Sequence, residues 1–127
     1  MTAHKSFSFP RDAKAVRAAR GALDGLDGRL PKARLYDAAL CLSELVTNAI
    51  RHPGPKGEVG LTVALDERRL RVEVADPGRG FEPRPPREGD EGGWGLFIVD
   101  NLADEWGVRP GERTVVWFEI LRAPRTN

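Results

Sequence analysis

With 127 residues, 40% of them hydrophobic and 31% charged, the chain has the size of one ordinary domain, able to bury one core and too short for two. A net charge of +1, with basic residues scattered among acidic ones, argues against a general electrostatic hold on nucleic acid or on an anionic membrane. No apolar run reaches the roughly 18 residues of a membrane span, Met1 to Ser8 lack a signal-peptide core, and the lone Cys41 has no internal disulfide partner, so a soluble cytoplasmic protein is expected.

His4 to Phe9 alternates, with Phe7 and Phe9 on one side and Ser6 and Ser8 on the other, and Pro10 stops the run, which predicts a short first strand. Asp12 is placed to cap a helix in which Val16, Ala19, Leu23 and Leu26 recur at helical spacings. Its exposed side carries Arg11, Lys14, Arg17 and Arg20, either a solvated face or a docking surface for an acidic partner. Gly25 to Gly28 ends this helix, and Pro31 suits the start of the next. At about 100° per residue, Leu35, Ala38, Leu42, Leu45, Val46 and Ala49 then form one apolar arc, with Asp37, Cys41, Glu44, Asn48 and Arg51 opposite. Glu44 and Asn48 are thus neighbours one turn apart.

Pro53, Gly54 and Pro55 terminate the second helix. Val59, Leu61, Val63 and Leu65 alternate, Asp66 to Arg69 reads as a tight turn, and Leu70, Val72 and Val74 alternate again, an antiparallel hairpin with one buried face. Asp76 follows at the strand's end. Residues Glu82 to Glu91 hold Pro83, Pro85 and Pro86 with charges of both signs and no apolar period, so a loop is expected. Gly95 to about Trp106 reads as a third helix closed by Gly107. Val108 and Arg109 begin a strand, Pro110 and Gly111 turn the chain, and Thr114 to Leu121 forms a last strand apolar enough to be buried on both faces. Trp106 and Trp117 sit in these apolar periods as core residues. This order predicts an α/β (α+β) two-layer sandwich, a mixed, mostly antiparallel sheet with three helices on one face.

Three polar segments stand out from this framework. A carboxylate and an amide on one helix turn, Glu44 and Asn48, have the chemistry of a base and a metal ligand if a phosphate is cradled nearby. Gly93 and Gly95 open the third helix, where glycine lets main-chain amides approach a phosphate and the helix terminus adds about half a positive charge. Neither a Walker loop nor a dinucleotide fingerprint is present. Asp76, followed by Pro77, Gly78, Arg79 and Gly80, is either an Asp-Pro-Gly turn or an acceptor for an exocyclic amino group such as that of adenine, with glycines leaving room for a flat ring.

In this order and at these separations, the segments Glu44 to His52, Asp76 to Phe81 and Gly92 to Val99 resemble the N, G1 and G2 boxes of the GHKL ATPase superfamily, whose nucleotide-binding architecture is the Bergerat fold. The resemblance spans nearly the whole chain and is greatest to the bacterial anti-sigma-factor serine/threonine kinases. It implies that Asn48 coordinates Mg²⁺ bridging the phosphates of ATP and that Glu44 is the general base. It further implies that Asp76 binds the adenine amino group in a pocket shaped by Gly78 and Gly80, and that amides of Gly93, Gly95 and Leu96 hold the phosphates. Glu82 to Glu91 would be a short lid. Arg51 either reaches a phosphate or complements the carbonyl end of its helix, and His52 reads as a helix-end residue. Trp94 either covers the nucleotide or packs the lid, and Cys41 reads as packing.

The function so implied is phosphorylation of an anti-anti-sigma (STAS-type) partner together with sequestration of a sigma factor, by a protein whose relatives are often homodimers. The alternatives are a non-catalytic ATP-binding partner-switching module and a simple ATPase. A histidine autokinase is disfavoured, since only His4 and His52 are present and neither lies on a long dimerisation helix.

Overall fold

A computed structural model describes residues 3–51, 57–76 and 95–123. Its elements run β1 (Ala3–Pro10), α1 (Lys14–Gly21), a 3-10 turn (Asp24–Leu26), α2 (Lys32–Arg51), β2 (Glu58–Leu65), β3 (Arg69–Asp76), α3 (Gly95–Leu102), β4 (Glu105–Arg109) and β5 (Thr114–Leu121). The strands form one sheet in the order β1-β2-β3-β5-β4. Every pairing is antiparallel, including those at both edges, so no parallel pair is present among the described strands. The reason lies in the crossover. β3 and β4 run the same way, but α3 carries the chain one position beyond the adjacent slot, and the hairpin from β4 returns β5 into the gap.

Strand alternation defines the two faces. Val59, Leu61, Val63 and Leu65 of β2, Leu70, Val72 and Val74 of β3, and Val116, Phe118 and Ile120 of β5 share one face and are buried. α2 lies on that face against β2, β3 and β5, flanked by α1 and α3, so all three helices form the second layer. α2 supplies Ala38, Leu42, Leu45, Val46 and Ala49 to the core, as its period predicts. The hairpin between β2 and β3 closes through Asp66, whose carboxylate accepts from the amides of Arg68 at 2.7 Å and Arg69 at 2.8 Å. Those two bonds, Arg68's first, hold its carboxyl below the usual range.

Several sequence expectations are corrected. α1 ends at Gly21, and a separate 3-10 turn carries Leu26 into the core. Asp12 accepts the amide of Lys14 at 2.8 Å but is not the capping residue itself, which is Ala13. α3 stops at Leu102, well before Trp106. Tertiary bonds end it: the Asp104 amide already donates to Glu119 in the sheet at 2.9 Å. The Asp104 carboxylate also accepts from Arg34 at 2.6 Å and from the Leu121 amide at 2.7 Å. Trp106 therefore lies in β4, half-buried, with its Nε1 donating to Asp100 at 2.8 Å.

Gly107 is no helix stop. A Cβ there would come within 2.8 Å of the Trp117 ring, so the glycine is the flat seat on which that indole lies. Trp117 itself is on the open face of the sheet, with the Arg71 guanidinium 4.2 Å from its ring centroid, and is not a core residue. β5 is consequently not buried under a second layer on both sides. On the open side Val115 and Trp117 stay partly exposed, while Glu119 is only 9% exposed under its arginine partners.

Candidate functional site

The polar side of α2 is not a solvent face. Glu44 and Asn48 are half-buried and Cys41 is fully buried, because α2 is enclosed by the sheet, α1 and α3 at once. Burial pushes the Cys41 thiol up to about 12, the charges of Asp37 and Glu44 adding to the effect and Arg34 opposing it. It remains a neutral packing group, and it reports that the Glu44 carboxylate is close enough to be felt. At the helix's carboxyl end, Arg11 Nε donates to the Ala49 carbonyl at 3.0 Å. Arg11 precedes α1 and binds a carbonyl at the end of α2, while Arg51, for which a phosphate contact and the helix's carbonyl end both stand open, is exposed in the last turn. Nothing local marks it, since the contact joins residues 38 positions apart.

Asp76 ends β3 on the covered face and is 3% exposed. Its Cα partner across the ladder is Thr114, the first residue of β5, 5% exposed. Three buried polar residues occur among those described, and two of them form this one cross-strand pair at the end of an otherwise apolar face. Burying such groups is costly unless they are hydrogen-bonded, so their joint placement marks a polar recess in the core's edge. Sequence reasoning missed Thr114. Its signal was the β3–β5 register, which pattern alone does not supply.

Topology brings the expected segments to the same end of the molecule. α2 ends at Arg51 and β2 starts at Glu58, and β2 is antiparallel to β3, so the end of α2 and the end of β3 at Asp76 lie at one edge of the layers. Arg34 near the start of α2 binds Asp104, just after α3, and Arg34 Nε also donates to the Leu121 carbonyl at 3.2 Å. The two packed helices therefore run in opposite directions. The eight residues of α3 at about 1.5 Å each carry its amino end back to the level of the Glu44 turn. Leu96 and Val99 are buried and anchor that end, leaving the first amides of the helix, at Gly95 and Leu96, without intrahelical partners.

Glu44, Asn48, Asp76, Gly95 and Leu96 thus lie toward the same end of the molecule, while Gly78, Gly80, Gly93, His52, Trp94 and the lid segment 82–91 lie outside the described residues. Among the described residues no group of three or more His, Cys, Asp or Glu side chains forms a metal site. The Asn48 side chain carries an amide oxygen, a hard donor of the type that magnesium favours.

Residues 9–120 match the model of the histidine kinase-like ATPase domain. The chain belongs to this family. Among curated relatives, it is 30% identical over 138 residues to a serine-protein kinase RsbW of Bacillus velezensis, covering 94% of this chain and 86% of that one. It is 31% identical over 114 residues to the serine-protein kinase RsbW of Bacillus subtilis, covering 76% and 71%. A crystal structure of the RsbU and RsbW domains of a Mycobacterium tuberculosis protein superposes with a TM-score of 0.74 at 20% identity, over 96% of this chain and 33% of that longer one. That likeness shows the shared α+β fold, a five-stranded antiparallel sheet with helices on one face.

Proposed function

We propose that this chain is an ATP-dependent protein serine/threonine kinase that regulates a sigma factor. What supports the reading is the placement of the Glu44–Asn48 turn, the buried Asp76–Thr114 pair and the amino end of α3 toward one end of the molecule, in a chain of the histidine kinase-like ATPase family with relatives named serine-protein kinases.

Asp76 accepts the adenine amino group, and Thr114 beside it offers a hydroxyl to the same ring edge. The amides of Gly95 and Leu96, with that of Gly93, hold the phosphates, and Gly78 and Gly80 shape the base pocket. Asn48 presents its side-chain oxygen to magnesium, which when bound neutralises charge building on the transferring phosphoryl group. Glu44, one turn away, takes the proton from the attacking serine or threonine hydroxyl. Glu44 is half-buried, so its carboxylate keeps some access to a substrate. The protein substrate is an anti-anti-sigma factor of the STAS type. The same molecule, acting in the cytoplasm as a homodimer, sequesters a sigma factor and so regulates transcription.

The test is transfer of label from γ-labelled ATP to a STAS-domain partner recovered from the native host. Labelled partner serine or threonine, dependent on magnesium and on Glu44, is expected. ATP binding without transfer would instead identify a partner-switching module, and release of free phosphate with the partner unlabelled would identify a simple ATPase.

A further inference from the structure

Arg113 lies in the turn before β5, on the opposite side of the sheet from the Asp76 side chain, yet its guanidinium grips the main chain around Asp76. Nη2 donates to the Ala75 carbonyl at 3.2 Å, and Nε reaches the Asp76 carbonyl at 3.5 Å. These two carbonyls belong to the two peptide units that flank the Asp76 Cα. The bond to the Ala75 carbonyl, with the longer approach to that of Asp76, restrains the peptide planes on which the direction of the Asp76 Cα–Cβ bond depends. Nη2 also donates to the Glu58 carbonyl at 2.6 Å, tying the grip to the start of β2, two strands away from β5. The guanidinium passes over Gly60, where a Cβ would meet Nη1 at 3.5 Å and Nη2 at 3.6 Å, so it lies in ordinary contact with that strand position.

Asp76 is the last residue of its strand, where one side of the ladder has run out. Its only ladder neighbour is β5 through Thr114, for the β2–β3 pairing stops at Ala75. A carboxylate meant to read a ring edge must be held within a fraction of an ångström. We propose that Arg113 is a positioning residue for nucleotide recognition, steadying the main chain at Asp76 from the open side of the sheet and thereby sharpening the preference for adenine over guanine. This inference rests on the reading of Asp76 as the adenine acceptor.

The experiment measures ATP and GTP affinity by calorimetry, and KM and kcat for ATP, in the full chain and in Arg113→Ala, Arg113→Lys and Asp76→Asn. Arg113→Ala should weaken ATP about three- to tenfold, the range of one ordinary hydrogen bond lost at a distance from the ligand. GTP should change little, so the ATP:GTP ratio falls, with KM carrying the effect and kcat nearly unchanged. Arg113→Lys, which restores one donor without the fork, should recover part of the ratio and keeps the test decisive if the alanine variant folds poorly. An unchanged ATP:GTP ratio in both Arg113 variants, while Asp76→Asn lowers it, would overturn the role of Arg113 alone. An unchanged ratio in Asp76→Asn as well would overturn the adenine-acceptor reading on which it rests.

Discussion

The two faces of this one sheet solve the problem of polar groups in opposite ways. The face under the helices is apolar along β2, β3 and β5, and in those strands it admits polarity only at its end, in Asp76 and Thr114. The open face is charged throughout its middle, and its charges neutralise one another. Glu119 accepts from Arg69 at 2.8 Å and from Arg71 at 2.9 Å, and Glu73 accepts from Arg71 at 2.9 Å and from Arg109 at 3.3 Å, with Arg71 also stacked on Trp117. Ion pairs satisfied within a face need nothing further, whereas a carboxylate and a hydroxyl brought together at the rim of a core offer an acceptor and a donor to a ligand. In the function proposed above the chemistry belongs to the helical side, and the open side is a polar surface of paired charges.

That contrast can be broken most directly at Glu44. Replacing it with alanine should lower phosphotransfer by about 10²- to 10⁴-fold with ATP affinity retained, and transfer at the wild-type rate would return the base assignment to another group. Phe118, fully buried at the centre of the covered face, should cost about 3–5 kcal/mol as Phe118→Ala in denaturant unfolding. Asp76→Asn should weaken ATP by about 1–3 kcal/mol, the cost of leaving a buried polar group mispaired. Asn48→Ala should lose the magnesium dependence of that affinity while turnover per bound ATP·Mg falls less than in Glu44→Ala. On the open face, Glu73→Gln should cost less than about 1 kcal/mol, as partly exposed pairs do.

The two sides should also fail at opposite ends of the pH scale. Burial alone would raise the Glu73 carboxyl, but its hydrogen bond and charge contact with Arg71, aided by Arg109, bring it below the usual range. The folded state then binds fewer protons than the unfolded one, so this contribution is full above the unfolded value and fades as pH falls through the folded one. Beneath the helices, Cys41 works in the other direction. Its thiol is raised to about 12 from 9.0, so the unfolded state releases its proton first and stability falls as pH rises between those values. Unfolding midpoints across pH should show Glu73→Gln flattening the acid limb and Cys41→Ala flattening the alkaline limb. An alkaline limb unchanged in Cys41→Ala would mean that another group carries it.

Local pattern in the sequence determined the hairpin of β2 and β3, the first strand, the apolar arc of α2 and the helix starting at Gly95, because periods of two and 3.6 are properties of the chain itself. The pairing of Glu44 with Asn48 on one turn and the placing of Asp76 at a strand end follow from the same periods. What depended on residues far apart was settled only when the chain was folded. α3 ends at Leu102 because Asp104 is claimed by Arg34 and by β5, and Gly107 is a glycine because Trp117 lies across it. The polar side of α2 is half-buried because α3 packs beside it, and the end of that helix is capped by Arg11 from beyond β1. Thr114 meets Asp76, and Arg113 grips its backbone, only through a register that joins positions nearly forty residues apart. Periodicity fixes which side of an element turns inward; the neighbour it meets there is a long-range contact, and no local pattern encodes it.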